Sequence, residues 1–256
     1  MYGDGCFETL KSYSGRFLNF DAHYQRLISA LDYLNIHLNL AESDFIDLIQ
    51  DLLKANDLQY EESMIRFQCW RAGDRGYKTS NTECEWIITA KSISERSTTP
   101  VRLVTSRTPV IPTKALNRNA KLSNGLNYII AAKDAVIRQA DDALMLTLDG
   151  FISETTVSNI FWGIGNEVFT PSEECDLLPG VTRNLIIDLL KKSEFEIVEG
   201  LFTLDSLKSS EYAFTTNSIS EISVVDSIDD YKLDVAHPEL TRIKSLFETL
   251  KIDLLS

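Results

Sequence analysis

The stretch from residue 150 to residue 163, GFISETTVSNIFWG, constrains the fold more than any other part of the chain. A turn at its first glycine is followed by alternating apolar and polar residues and then by the β-forming run NIFW. This pattern predicts a pair of strands. It also places a carboxylate, that of Glu154, among small uncharged residues directly before an apolar strand. Glu154 therefore needs a positive partner that its sequence neighbours do not supply.

Helical and strand-like patterns alternate along the rest of the chain. A hairpin is predicted over residues 7–20, followed by a helix with Asp21 as its N-cap. A second amphipathic helix is predicted over Glu42–Ala55, and a third helix over residues 126–139. Further strands and three more helices, one of them short, follow, so the chain is predicted to have a mixed α/β fold.

Two prolines, Pro109 and Pro112, favour an extended linker in the segment RTPVIPT. We therefore expect a small α/β domain over residues 1–107, an interdomain linker over residues 108–120 and a larger domain over residues 121–256.

Composition narrows the classes of function. The 256 residues are 44% hydrophobic and 25% charged, which is ordinary for a soluble globular protein. The net charge of −13 argues against nucleic acid or an anionic membrane as a partner. No apolar run approaches the length of a membrane span and no secretory leader pattern opens the chain, so we expect a cytoplasmic protein. The four cysteines and three histidines lack metal-ligand spacing, so we expect free thiols and no metal site.

A candidate anion site lies in the segment LLPGVTR. A helix N-terminus presents unpaired N–H groups and a partial positive charge, and Gly180, Val181 and Thr182 stand where a helix is predicted to begin. The alternative is a plain glycine turn in which Thr182 is an ordinary N-cap. Local sequence leaves both interpretations open.

Several separated motifs together resemble the class IV aminotransferases, the fold-type IV pyridoxal-phosphate enzymes. The longest covers residues 148–183, LDGFISETTVSNIFWGIGNEVFTPSEECDLLPGVTR; GDGCFETL and HYQRL precede it, and SEYAFTTNSISEISVVDSI follows it. This family includes branched-chain and D-amino-acid aminotransferases and aminodeoxychorismate lyase. The resemblance covers nearly the whole chain. It implies a two-domain α/β (α+β) fold of the D-amino-acid aminotransferase type, with pyridoxal 5′-phosphate bound by the larger domain.

The family holds its cofactor through a Schiff base to a lysine, and two lysines of this chain compete for that role. Both Lys114 and Lys121 open a K-x-x-N pattern. In the family the lysine lies a little over thirty residues before a glutamate that matches Glu154. Lys121 lies 33 residues before Glu154 and Lys114 lies 40 before it, so the resemblance favours Lys121 and leaves Lys114 as a solvated residue.

The resemblance also assigns the other cofactor contacts. Glu154 is expected to bind the protonated ring nitrogen, so that its partner is the cofactor and not a protein cation. Arg26, in the H-x-x-R-L motif, and the Ser218 hydroxyl are expected to bind the phosphate. Val181 and Thr182 match residues whose backbone N–H groups cap the phosphate.

One departure from the family pattern lies just after the lysine. Many relatives carry a tyrosine four or five residues after the lysine, where this chain has Gly125 and Leu126, and Tyr128 is the candidate substitute. Arg107 and Arg118 are either candidates for binding a substrate carboxylate or ordinary surface arginines.

The resemblance implies an aminotransferase that passes an amino group between an amino acid and a 2-oxo acid, with Lys121 moving the proton. The alternative is a 4-amino-4-deoxychorismate lyase, which releases pyruvate and 4-aminobenzoate with the same residues. A non-catalytic binding protein is a third hypothesis, against which Lys121, Glu154 and Arg26 together argue. A homodimer is implied by the resemblance alone.

Overall fold

The computed structural model describes residues 3–73, 76–93 and 99–256. Contacts divide the chain into two compact units. The smaller consists of Met1–Arg96, Asn119–Asn124 and Leu254–Ser256, and the larger of Ser97–Arg118 and Gly125–Asp253. The smaller unit is therefore assembled from three separate stretches of chain.

An antiparallel sheet forms the centre of the smaller unit. Within the described residues it has four strands in the order β2-β1-β3-β4, namely β1 (Gly5–Tyr13), β2 (Arg16–Phe17), β3 (Glu62–Arg71) and β4 (Cys84–Ser92). Two helices, α1 (Phe20–Leu34) and α2 (Glu42–Ala55), complete it. Side chains of β3 alternate between buried and partly exposed, and the ring of buried Phe67 meets that of Phe45 on α2 edge to face at 4.5 Å. This alternation is what one buried sheet face requires.

The prediction for α2 is confirmed at both ends, whereas the prediction for the start of α1 is wrong by two residues. Helix α1 begins at Phe20, and its N-cap is Asn19 in the left-handed region with φ of 52°. Asp21 lies inside the first turn, where its negative charge interacts favourably with the helix dipole. Because Asn tolerates the left-handed conformation, the chain turns from the hairpin into the helix earlier than the pattern predicts.

The segment Asn119–Asn124 adds to the free edge of β1. Phe7 N donates to the carbonyl oxygen of Lys121 at 3.0 Å, and Ser123 N donates to that of Gly5 at 2.9 Å. Between them, Cys6 and Leu122 form an antiparallel bridge. Lys121 is thus held by backbone hydrogen bonds to the first strand of the chain, although it lies more than a hundred residues later.

A second sheet dominates the larger unit. Its described strands number nine and follow the order β10-β9-β8-β11-β12-β5-β6-β7, with β13 paired to β12. The strands are β5 (Val101–Thr105), β6 (Asp142–Leu146), β7 (Ile152–Thr155), β8 (Asn159–Ile164), β9 (Glu167–Pro171), β10 (Glu196–Gly200), β11 (Tyr212–Asn217), β12 (Glu221–Ile228) and β13 (Tyr231–Lys232). The two strands predicted around Glu154 are present as β7 and β8. In the described sheet they are not paired with each other: β7 pairs with β6, and β8 pairs with β9 and β11.

Helices cover this sheet. They are α3 (Leu126–Ile137), α4 (Val181–Lys191), α5 (Leu204–Leu207) and α6 (Pro238–Leu255), with a 3₁₀ turn at Glu173–Cys175. Ala131 and Ala135 of α3 pack against Val104, Ala143 and Met145 of the sheet. Over the described ranges no helix is both long and apolar enough to cross a bilayer.

The units differ from the domain boundaries expected from the sequence. Strand β5 pairs with β6 and β12, so it belongs to the larger unit, and the change of unit falls at Arg96 and not at residue 107. Residues 108–118 also belong to the larger unit. Strand pairing over long sequence distances decides these memberships, and the two prolines carry no information about it.

Candidate active site

Lys121 and Lys114 occupy different environments. Lys121 is half-buried, and its Nζ lies 4.8 Å from the centre of the Phe7 ring. The backbone from Lys121 to Ser123 is hydrogen-bonded to β1. Lys114 is exposed in a turn of the larger unit. The sequence-based expectation that Lys114 is solvated is confirmed.

Arg26 belongs to a buried charged cluster in the smaller unit. Its Nε and Nη2 lie 2.7 and 2.8 Å from the two carboxylate oxygens of Glu8. His23 Nδ1 lies 3.0 Å from Glu8 Oε2. Glu8 projects from β1, and His23 and Arg26 stand three residues apart on α1, so the helical spacing brings both onto one carboxylate.

Burial and the contacts within the cluster determine the charges of Glu8 and His23. Burial opposes ionisation of Glu8, but the charge and hydrogen bonds of Arg26, with a further hydrogen bond from His23, outweigh it and lower the pKa of Glu8 from 4.5 to about 2. Burial lowers the pKa of His23, against the effect of Glu8, and the positive charges of Arg26 and Lys121 lower it further. The cluster is therefore an ionised Glu8–Arg26 pair with a neutral histidine at neutral pH.

Four donors surround the Glu154 carboxylate in the larger unit. Tyr128 Oη donates to Oε1 at 2.6 Å, and Arg118 Nη2 lies 3.2 Å from the same oxygen. Leu178 N donates to Oε2 at 3.1 Å, and Asn159 Nδ2 lies 3.5 Å from it. Glu154 is 5% exposed. Its carboxylate and the Arg118 guanidinium therefore meet in a nearly dry environment.

Sequence reasoning named Arg118 as a candidate for a substrate carboxylate but missed its contact with Glu154. Arg118 is buried, and its Nε also donates to the carbonyl oxygen of Asp176 at 3.3 Å. It lies 36 residues before Glu154, so no local pattern connects the two. The expectation that Glu154 lacks a protein cation is wrong. Arg107, the other candidate for a substrate carboxylate, is exposed.

Tyr128 reaches Glu154 from the first turn of α3. Burial, and next the nearby negative charge of Glu154, raise the pKa of the Tyr128 phenol well above its usual value. The phenol therefore stays protonated and donates to the carboxylate, and it also contacts the Arg118 guanidinium.

The helix after Gly180 begins as an uncapped N-terminus. Gly180 is the N-cap, and no side chain caps the helix. Thr182 lies inside the first turn, so the alternative in which it is an N-cap is wrong. Val181 and Thr182 are buried, and the residues that the structure describes offer no acceptor to their amide N–H groups. Such groups are the ones a helix leaves unpaired at its start.

Gly180 is required by close packing against the Glu154 site. A Cβ atom there would lie 2.2 Å from Oδ1 of Asn159. The amide of Asn159 donates to the carbonyl oxygen of Leu178 at 2.9 Å and points at Glu154. Asn159 therefore ties the start of α4 to the carboxylate.

Ser218 lies in the turn between β11 and β12. Asn217 shapes this turn, because its Oδ1 accepts hydrogen bonds from Ile219 N and Ser220 N. The Asn217 amide in turn donates to Ser158 Oγ at 2.9 Å. Ser218 is half-buried. It belongs to the larger unit, as do Glu154, Val181 and Thr182.

Residues 5–228 match the family described as Amino-transferase class IV, and the chain belongs to that family. Aminodeoxychorismate lyase of Bacillus subtilis is 28% identical to it over 239 residues, covering 90% of this chain and 79% of that protein. Branched-chain-amino-acid aminotransferase of Pseudomonas aeruginosa is 26% identical over 242 residues, covering 91% and 78%. The PLP form of branched-chain amino acid aminotransferase from Thermobaculum terrenum has the same fold, with a TM-score of 0.90 at 19% identity, covering 97% of this chain and 85% of that one.

The family match confirms the resemblance found in the sequence motifs. The chain is a class IV enzyme of the aminotransferase and lyase type, and pyridoxal phosphate is its cofactor. Its architecture is that of the fold-type IV enzymes.

Proposed function

We propose that this enzyme transfers an amino group between an amino acid and a 2-oxo acid. The observation that carries the proposal is the buried Glu154 carboxylate, held by four donors in a chain that matches the family from residue 5 to residue 228. A dry, oriented carboxylate of this kind is what a pyridine ring nitrogen needs to stay protonated.

The residues of this chain fit pyridoxal phosphate. Lys121 would hold the cofactor covalently, and Glu154 would bind its ring nitrogen. The buried N–H groups of Val181 and Thr182, which lack acceptors among the described residues, suit a phosphate because a helix N-terminus attracts anions. Arg26 and the Ser218 hydroxyl would add to the phosphate site, and the planar guanidinium suits phosphate recognition.

Pyridoxal phosphate, when bound, supplies an electron sink that makes the substrate α-proton acidic. Glu154 strengthens that sink by stabilising positive charge on the ring nitrogen. Lys121 would act as the acid and base that moves the α-proton of the amino substrate.

A second candidate is the lyase reaction, which the 28% identical Bacillus subtilis relative favours. It would eliminate pyruvate from 4-amino-4-deoxychorismate and leave 4-aminobenzoate. The same lysine and glutamate would serve both reactions, so the substrate and not the cofactor site separates them.

The larger unit would carry most of the cofactor contacts, since Glu154, Val181, Thr182 and Ser218 all belong to it.

A homodimer is part of the proposal. Leu126, Ile129 and Ile130 of α3 are exposed on the unit surface, and apolar residues exposed together favour a protein partner. Light scattering should give a dimer mass that Ile129→Glu reduces and Lys133→Gln does not.

We also propose a cytoplasmic location. The four cysteines are all free thiols, which a reducing compartment maintains.

Borohydride labelling tests the cofactor assignment. Protein loaded with pyridoxal phosphate should absorb in the near-visible, and reduction should bleach it and fix the cofactor to one peptide. Mass spectrometry should find that label on Lys121, and Lys121→Ala should abolish it while Lys114→Ala retains it. A label on Lys114 would contradict the assignment.

Product analysis tests the reaction. An amino donor and a 2-oxo acid should exchange amino groups in the presence of the enzyme. Pyruvate release from aminodeoxychorismate without any amino acceptor, in the absence of such exchange, would establish the lyase in its place.

A further inference from the structure

The Arg118 side chain contacts Glu154, Asp176 and Tyr128 and is largely shielded from solvent. Its guanidinium lies 3.2 Å from Glu154 Oε1, its Nε donates to the Asp176 carbonyl oxygen, and its Cζ lies 5.2 Å from the centre of the Tyr128 ring. Its side chain is 8% exposed. A buried guanidinium with these contacts acts locally, on the carboxylate it touches.

The two carboxylate oxygens of Glu154 have different hydrogen-bond partners. Oε1 accepts from Tyr128 at 2.6 Å and faces Arg118 at 3.2 Å. Oε2 accepts from Leu178 N at 3.1 Å, and its second contact, to Asn159, is 3.5 Å long. Asn159 has a better acceptor, the Leu178 carbonyl oxygen at 2.9 Å. Oε1 is therefore satisfied, and Oε2 retains capacity for one further donor.

Burial makes this arrangement necessary. A carboxylate removed from water remains charged only when it is paired and hydrogen-bonded. Leu178 N and Asn159 bring no charge, so the ionic partner within the described residues around Glu154 is Arg118. Tyr128 adds the shortest hydrogen bond and fixes the plane of the carboxylate.

We infer that Arg118 and Tyr128 are positioning residues that act on the cofactor's ring nitrogen through Glu154. They hold Oε1, keep Glu154 charged and so prepare Oε2 for the nitrogen. The inference rests on the proposed function, because it takes Glu154 as the partner of that nitrogen. Neither residue is assigned a direct contact with substrate or with the reacting atoms.

A comparison of two cofactors isolates this effect. The probes are pyridoxal 5′-phosphate and its analogue in which a C–H group replaces the ring nitrogen, each titrated into cofactor-free enzyme by absorbance. The variants are Arg118→Gln and Tyr128→Phe. The controls are Arg107→Gln at an exposed arginine of the same unit, and Tyr231→Phe, which loses a 2.6 Å hydrogen bond to the Ser210 carbonyl oxygen elsewhere in that unit.

The wild-type enzyme should prefer the natural cofactor to the carbon analogue. In Arg118→Gln and Tyr128→Phe that preference should fall by about fivefold or more, as expected for the loss of a hydrogen bond to a charged group. Affinity for the carbon analogue should change by less than about twofold, and the two controls should keep the full preference.

Three results would overturn the inference: equal losses for both cofactors, an unchanged preference, or a stronger preference in Arg118→Gln, which would mean that Arg118 competes with the ring nitrogen. If Arg118→Gln does not fold, Tyr128→Phe decides the question alone. Failure of the wild type to bind either compound would instead overturn the proposed function, and the inference with it.

Discussion

The Glu8 carboxylate meets the Arg26 guanidinium edge to edge, with Oε1 2.7 Å from Nε and Oε2 2.8 Å from Nη2. The pair joins the first strand to the first helix, and both side chains are largely buried. The conformation of Arg26 is thus set within the smaller unit before any ligand binds.

Removing one member of this pair should be costly. Arg26→Gln leaves a buried carboxylate without its cation, and we expect the free energy of unfolding to fall by roughly 3–5 kcal/mol. The double variant Glu8→Gln/Arg26→Gln should lose less than the sum of the two single variants, since neither charge is then stranded. Urea unfolding measures these values, with exposed Lys54→Gln as the control. Additive losses would show that the two residues do not act as a pair.

The same carboxylate predicts acid sensitivity. The folded-state pKa of Glu8, about 2, lies below its ordinary value of 4.5, so the unfolded chain takes up the proton first as pH falls. The stabilisation is complete above about pH 4.5 and is lost towards pH 2, with a total on the order of 3 kcal/mol. His23, whose pKa is lowered chiefly by burial, acts in the same direction from about pH 6.5 downwards.

Unfolding free energies measured from pH 7 to pH 3 check this. Below pH 4.5 the wild type should lose stability more steeply than Glu8→Gln, by up to about 1.4 kcal/mol per pH unit. Exposed Asp47→Asn should leave the wild-type slope unchanged. Parallel curves for wild type and Glu8→Gln would contradict the prediction.

The glycine before α4 gives a packing prediction. Gly180→Ala drives a methyl group into Asn159, so we expect a loss of about 1–3 kcal/mol from overpacking and weaker cofactor binding. Gly125→Ala is the matched control, because Gly125 is the N-cap of α3 and a Cβ atom there meets nothing within 4 Å. Thermal unfolding and cofactor titration of the two variants compare them. Equal stability and equal cofactor affinity of the two variants would show that Asn159 moves aside without loss of stability.

Three cysteines that are far apart in sequence meet in the smaller unit. Cys6 lies opposite Cys69 in the β1–β3 register, and hydrogen bonds with Cys6 and Cys84 raise the pKa of the Cys69 thiol. The hydrogen bond with Cys69 lowers the pKa of the Cys84 thiol. Cys84 is partly exposed, whereas Cys6, Cys69 and Cys175 are buried.

A thiol reagent should therefore label one cysteine of the native protein quickly. Cys84→Ser should remove that fast phase, and all four thiols should react in denaturant. A fast phase that persists in Cys84→Ser would place the reactive thiol elsewhere.

Glu154→Gln tests the proposal that Glu154 binds the ring nitrogen of the cofactor. Glutamine keeps the shape of the side chain but cannot carry the negative charge that stabilises a protonated ring nitrogen. Turnover should fall by about 100-fold or more, whereas cofactor affinity should stay within about tenfold of wild type. Exposed Glu167→Gln is the control, and unaltered turnover in Glu154→Gln would refute the assigned role.

Sequence patterns predicted those parts of the fold that depend on neighbouring residues. The ends of α2 are correct because its apolar residues recur at helical spacing, and β7 and β8 follow from alternation and β-propensity. Motif order identified the family, and the spacing from Lys121 to Glu154 predicts its lysine. Each of these signals lies within a short stretch or in the order of such stretches.

The remaining features depend on contacts between segments that are far apart in the sequence. Nothing near Arg118 indicates Glu154, and nothing near Cys6 indicates Cys69. The attachment of Lys121 to Phe7 is likewise a property of the sheet and not of either segment. Local periodicity carries no record of which strand pairs with which, and so the domain boundaries predicted from the prolines differed from the units observed.

Because Asn119–Asn124 completes the edge of β1, the smaller unit is unsuited to expression as an N-terminal fragment. A fragment ending at residue 96 would lack the segment that pairs with Gly5, Cys6 and Phe7, and the hydrogen-bonding groups of β1 at that edge would face solvent. Exposed strand edges of this kind recruit other chains. A soluble fragment would need residues 119–124 grafted back through a designed turn.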